Sequence, residues 1–140
     1  MGLSMGHCLS KMAGNNTDNS IRKTDTKMKQ TEHQLQVSCV NWFKLQYPKM
    51  LIWATPNGGQ RNVVVASKLK AEGALAGVPD LFIPHSRGMY HGLFIEMKVG
   101  KNQPTSSQKN VMSKLLDNGY KCEVCYTIEG FIETVKDYLK

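Results

Sequence analysis

Three observations on this 140-residue chain predict an α/β fold, a mixed β-sheet flanked by helices. Helical periodicities alternate with short apolar runs in the order helix, strand, helix, strand, strand, helix, strand, helix, which surrounds a sheet with helices. Two of the runs, DLFIP and GLFIEMKVG, are separated only by the turn-like HSRGMYHG, so they are expected to pair as an antiparallel hairpin. The length suits one domain with a real core, and no internal repeat divides it.

Each element has a local cause. Residues 1–29 are rich in Asn, Ser, Thr, Lys and Gly, lack apolar periodicity and hold about +3 of the net charge of +7, so they are expected to form a flexible basic leader before a folded domain over 30–140. TEHQLQVSCVNWFKLQ then offers Thr31 as an N-cap, with Leu35, Cys39, Trp42 and Phe43 at helical spacing, and Pro48 ends the helix. MLIWAT reads as a short buried strand, and PNGGQ as a turn. A second helix is expected over 61–72, with Val64, Val65, Lys68 and Leu69 covering one face and Gly73 closing it. After the hairpin, SQKNVMSKLLDNG places Val111, Leu115 and Leu116 on one face of a third helix that Gly119 terminates. YKCEVCYT follows as a strand, and EGFIETVKDYLK closes with Phe131, Ile132, Val135, Tyr138 and Leu139 at helical spacing. The aromatic residues Trp42, Phe43 and Trp53 read as core.

Composition excludes several classes. With 41% apolar and 21% charged residues and no apolar stretch near the roughly 20 residues that cross a bilayer, no membrane span is expected. The N-terminus lacks the apolar core of a signal peptide, and MGLSMG lacks the Ser or Thr at the sixth position of a myristoylation signal. A cytoplasmic location follows as the expectation, with Cys8, Cys39, Cys122 and Cys125 as reduced thiols. The positive net charge favours an anionic partner such as nucleic acid.

The chemistry concentrates in Glu96-Met97-Lys98, inside the apolar run LFIEMKV and sixteen residues after Asp80 of GVPDLFIP. On a strand, residues two apart share a face, so Ile95 and Met97 are expected in the core and Glu96 and Lys98 together on the other side. An isolated Glu-x-Lys is ordinarily a solvated edge pair. Here the order Gly-Val-Pro-Asp, strand, turn, then a strand with the acid and the amine at its centre points to a metal-dependent nuclease. Hydrolysis of a phosphodiester needs a nucleophilic water and neutralised phosphoryl charge. Mg²⁺ or Mn²⁺ held by Asp80 and Glu96, with the Met97 carbonyl as a further ligand and Lys98 orienting the water or stabilising negative charge, meets that need.

Other features support weaker readings. Asn57, Gly58, Gly59 and Arg61 form either a plain turn or a phosphate-binding loop. Lys68, Lys70 and Lys101 are solvated charges that collectively set a salt-dependent DNA affinity. Cys122-x-x-Cys125 is a poor zinc signal without a second pair, and His33, His85 and His91 have no ligand spacing.

The segments TEHQLQ, TPNGGQRN, KLKAEGALAGVPDLFIP, GLFIEMKVGKNQPTSSQKNVMSKLLDNGY and YTIEGFIETVKDYL, taken in order, resemble the VRR-NUC family, the virus-type replication-repair nucleases of the PD-(D/E)xK superfamily. The resemblance spans about residues 31–140. It implies a restriction-endonuclease-like fold and a Mg²⁺- or Mn²⁺-dependent DNA endonuclease with Asp80, Glu96 and Lys98 in the catalytic motif. It further implies that Gln108 belongs to that motif and that Glu32 is a first-helix acid serving as an extra or water-bridged metal ligand, although Glu32 equally suits the positive end of a helix dipole. Structure-specific cleavage, Holliday-junction resolution by a homodimer, and a bacterial or phage-infected cell are what the resemblance implies for the substrate and its setting. The alternative is a catalytically inactive nucleic-acid-binding module of the same fold.

Overall fold

Thr31 opens the first helix by a reciprocal cap. Its hydroxyl accepts from the Gln34 amide at 3.1 Å, while the Gln34 side chain accepts from the Thr31 amide at 3.0 Å. Helix α1 (Glu32–Gln46) then buries Leu35, Cys39 and Phe43, one turn apart along a single stripe. The computed structural model describes residues 30–56 and 62–140. The expected leader and the glycine turn with Asn57 and Arg61 lie outside the described residues.

The strands β1 (Trp53–Ala54), β2 (Leu81–Ile83), β3 (Leu93–Met97) and β4 (Lys121–Cys125) form one sheet in the order β1-β2-β3-β4. β1, β2 and β3 run antiparallel, so the expected hairpin is present, and β4 lies parallel to β3. A parallel neighbour needs a crossover connection, which α3 (Ser106–Asp117) supplies. α4 (Ile128–Leu139) follows β4 and packs beside α1. The architecture is the mixed sheet flanked by helices that the periodicities predict.

The register sorts the side chains. Leu81 opposes Ile95, Ile83 opposes Leu93 and Met97 opposes Cys125, so these six share one face. They join Leu35, Cys39 and Phe43 of α1 and Phe131, Val135 and Tyr138 of α4 in the core. The opposite face carries Phe82 stacked on Phe94 at 4.2 Å, with Trp53 and Tyr120 edge-on to Phe82 at 5.1 and 5.9 Å. α3 covers the β4 side of that face, where Val111 is buried and the Cys122 thiol meets the Met112 carbonyl.

Several burial expectations fail on this second face. The run MLIWAT yields only a two-residue strand, and Trp53 is 48% exposed instead of being core. α2 (Val63–Ala71), capped by Asn62, buries none of its side chains, and Val64 is 73% exposed. Leu116 also points outward, with 49% exposure. Helical spacing aligns residues on a face, but burial needs an opposing surface, and β1 is an edge strand bonded only to β2. Gly73 follows α2 at φ +99°, a conformation that suits the expected C-terminal stop. Among the described residues, no helix is long and apolar enough to cross a membrane.

The loop that delivers Asp80 is fastened to α3 at Gly77. Its φ is +90°, and a Cβ there would meet the Ser107 backbone at 2.8 Å. Gly77→Ala is therefore expected to destabilise the fold by about 2–3 kcal/mol, combining backbone strain with overpacking. Urea titration of both proteins checks this, and a loss near zero would mean that the loop and α3 are not tightly joined.

Candidate metal centre

Extending the β2–β3 register by one step beyond Leu81 and Ile95 sets Asp80 opposite Glu96. The ladder continues past both strand ends, since the Thr55 amide donates to the Asp80 carbonyl at 2.8 Å and the Lys98 amide donates to the Cys125 carbonyl at 2.9 Å. Period-two alternation then puts Asp80, Glu96 and Lys98 on the face shared with Phe82 and Phe94. The three groups singled out from the sequence are thus brought together.

Their hydrogen bonds are specific. Asp80, following the fully buried Pro79, accepts through Oδ2 from the Met97 amide at 2.8 Å. Glu96 is completely buried, and its Oε1 accepts from the Lys98 ammonium at 2.6 Å and from the Gln108 side-chain amide at 2.5 Å. Among the described residues, its Oε2 is buried without a hydrogen-bond partner. Lys98 is 8% exposed, so both halves of the pair are removed from water.

Gln108 owes its orientation to the start of α3. Its Oε1 accepts from the Thr105 amide at 2.8 Å, and the Thr105 hydroxyl accepts from the Gln108 amide at 3.2 Å. With the amide oxygen engaged in this capping box, the NH₂ end is left for Glu96. The sequence reading passed over Thr105, although Thr-x-x-Gln ahead of an apolar stripe is the signal for such a cap.

Electrostatics reflect burial first. Burial lifts Asp80 above the ordinary carboxylate range, outweighing the Met97 amide, the Lys98 charge and a side-chain hydrogen bond with Glu96, and the charge of Glu32 adds to the lift. Glu96 is likewise raised by burial and by the charge of Asp80, against the opposing hydrogen bond from Lys98. Burial pulls Lys98 down, but the Glu96 hydrogen bond and the charges of Glu96, Glu32 and Asp80 prevail, so its affinity for the proton rises.

The remaining candidates stand farther out. Glu32 accepts from the Asn102 side chain at 3.4 Å and reaches the centre through its charge. Met97 contributes its main chain, while its side chain lies in the core. Lys68, on exposed α2, lies 4.0 Å from Glu72, Lys70 lines a cleft between α2 and α3, and Lys101 is exposed after β3. Burial pushes the Cys122 thiol up to about 11 and also raises Cys125, which disfavours the thiolates a zinc site needs.

Among the described residues, no group of three or more His, Cys, Asp or Glu is arranged to hold a metal ion. Mg²⁺ asks for less, because it takes one or two carboxylates and keeps several waters. Asp80 and Glu96 fit that donor set, and the unpartnered buried Oε2 of Glu96 is the feature a cation would satisfy.

Comparison with known proteins bears on this centre. The VRR-NUC domain model matches residues 16–128. The chain belongs to the VRR-NUC domain family. That membership is consistent with the PD-(D/E)xK nuclease superfamily. A solved structure described as "VRR_NUC domain protein" is 34% identical and superposes with a TM-score of 0.68, covering 79% of this chain and 89% of its own. No curated protein matches. The matched span of this VRR-NUC chain begins ahead of residue 30, where the folded domain is expected to start.

A carboxyl whose proton affinity is raised by folding weakens the fold when it ionises. The penalty is absent below the ordinary carboxylate range and grows as pH rises through the folded-state pKa. Metal-free Asp80→Asn protein is therefore expected to exceed wild type in stability by roughly 0.5–2 kcal/mol at neutral pH, with the gap closing in acid. Denaturation at a series of pH values in EDTA measures it. Adding Mn²⁺ should stabilise wild type and not the variant. A variant that is less stable at every pH would show that Asp80 is a structural group.

Proposed function

We propose that this VRR-NUC protein is a Mg²⁺- or Mn²⁺-dependent endonuclease that hydrolyses phosphodiester bonds in DNA. Its substrate is branched or otherwise structured DNA, resolved in the manner of a Holliday-junction resolvase during replication, recombination or repair. Its setting is the cytoplasm of a bacterial or phage-infected cell, and a homodimer would set two centres against two strands. The observation that carries the proposal is the pairing of Asp80 with a fully buried Glu96 whose Oε2 has no partner, beside the Lys98 ammonium.

The residues divide the work. Asp80 and Glu96 would hold the cation through their carboxylate oxygens, and its charge would offset the cost of ionising two buried carboxyls. The cation, when bound, supplies Lewis-acid charge to the phosphoryl group and its attacking water. Lys98 keeps its proton and holds positive charge where the phosphate oxygens gain negative charge. Gln108 and Lys98 saturate Oε1 of Glu96, so the carboxylate keeps one orientation. Lys101 and the surface lysines of α2 add sequence-independent, salt-dependent affinity for the backbone. Asn57 and Arg61 are assigned to phosphate contacts on the sequence pattern alone.

The test is a panel of junction, flap, single-stranded and linear DNA with Mg²⁺ or Mn²⁺ and matched EDTA controls. Wild type should cut, most efficiently at branched DNA, and EDTA should abolish cutting. Asp80→Ala and Lys98→Ala should each lower the rate by roughly 10²–10³-fold. DNA binding without metal-dependent cleavage would identify the inactive binding module instead, and equal cutting by the variants would displace the centre.

A further inference from the structure

A cleft of about 920 Å³ lies between α2 and α3. Its size falls in the roughly 300–1,000 Å³ range of small-molecule sites. Leu69 of α2 and Val111 and Leu115 of α3 form apolar walls, and the Tyr120 ring lies against the same space. That ring is held edge-on to Phe94 at 5.5 Å and to Phe82, so it presents a fixed surface.

Two further features define an occupant. Lys70 and Lys114 line the cleft from opposite helices, and among the described residues no carboxylate lines it. The cleft adjoins the segments that carry the candidate metal centre, since Gly77 stands three residues before Asp80 and Ser107 directly precedes Gln108. An apolar, aromatic-lined space with cations and no anions suits a flat heteroaromatic group carrying phosphate. Bases inside a duplex are stacked and paired and cannot enter it, whereas an unpaired base can.

We propose that the α2–α3 cleft binds an unpaired nucleotide of the DNA strand that enters the centre, its base against Tyr120 and the apolar walls and its phosphate neutralised by Lys70 and Lys114. The proposal rests on the nuclease reading of the adjacent centre and narrows its substrates to DNA with an unpaired nucleotide near the cleaved bond. It also accounts for a helix that buries none of its own side chains yet forms one wall of an apolar cleft.

The test measures binding in EDTA, so that it stands apart from catalysis. The probe is a duplex with a single-stranded arm and 2-aminopurine at the first unpaired position, compared with a blunt duplex. Wild type should change the probe's fluorescence saturably. Ala66→Trp, at an exposed position lining the cleft, should plug it, and Lys70→Ala/Lys114→Ala should remove its charge. Ala66→Trp should weaken binding of the armed DNA by about tenfold and leave the blunt duplex unchanged, while Lys70→Ala/Lys114→Ala should weaken the armed DNA by about tenfold more than the blunt duplex, which loses only the general backbone affinity of Lys70. Equal binding by all three proteins overturns the proposal, and so does an equal loss on both DNAs, which would mark a general phosphate surface. Sedimentation showing a dimer that Ala66→Trp splits would assign the cleft to a second copy and also overturn it. Loss of cleavage on Asp80→Asn is read separately, so the cleft and the centre fail independently.

Discussion

One antiparallel register governs the working parts of this protein. Leu81 opposite Ile95 puts Asp80 opposite Glu96, and the alternation of side chains sends both to the face away from α1 and α4. A slip of one residue would turn Glu96 into the apolar core and Met97 out of it. Such a slip of β3 loses the burial of Leu93, Ile95 and Met97 together, all of them fully buried. The same apolar contacts that hold the sheet on its helices therefore fix the carboxylates relative to each other. The β3–β4 pairing extends the constraint, because the Lys98 amide bonds to Cys125 just beyond the strand.

Burying Glu96 and Lys98 is costly, since taking an ion pair out of water commonly costs more than its attraction returns. An apolar pair of similar volume would serve the fold at least as well. The protein instead spends two donors on one oxygen of Glu96 and leaves the other without a partner. Asp80 and Glu96 both hold their protons more tightly than ordinary carboxyls, chiefly because burial disfavours their charged forms. A fold selected for stability alone has no use for that arrangement. In the proposed centre an incoming cation would balance these charges, and the Thr105 cap fixes which end of the Gln108 amide reaches Glu96.

Much of this was legible in the chain because the relevant signals are local. Thr31 with Gln34 marks the start of α1, and the Leu35, Cys39, Phe43 spacing marks its buried stripe. The hairpin and the shared face of Glu96 and Lys98 follow from turn chemistry and period-two alternation. What stayed hidden depends on partners far away in sequence. Val64 and Val65 have the spacing of a covered face, but nothing in that spacing says whether a surface lies opposite them. Trp53 is apolar and lies in a strand, yet an edge strand of two residues leaves it half in water. Full burial of Glu96 is likewise set by the docking of α3, through Gln108, across a parallel crossover.

The two faces of the sheet are consequently different kinds of surface. On the α1–α4 side, apolar contacts are closed and Tyr138 uses its hydroxyl to fasten α4 to the His85 carbonyl near the hairpin. On the other side, the rung that carries Asp80 and Glu96 is followed, two residues along each strand, by the stacked rings of Phe82 and Phe94. Charged and aromatic rungs thus adjoin on one face, with α3 covering only its β4 edge. A core-forming face would have placed aliphatic side chains there and a helix above them. Leaving the rings partly open beside Asp80 and Glu96 puts aromatic surface next to the carboxylates of the proposed metal centre on one face of the sheet, and the proposed nuclease would take its DNA from that side.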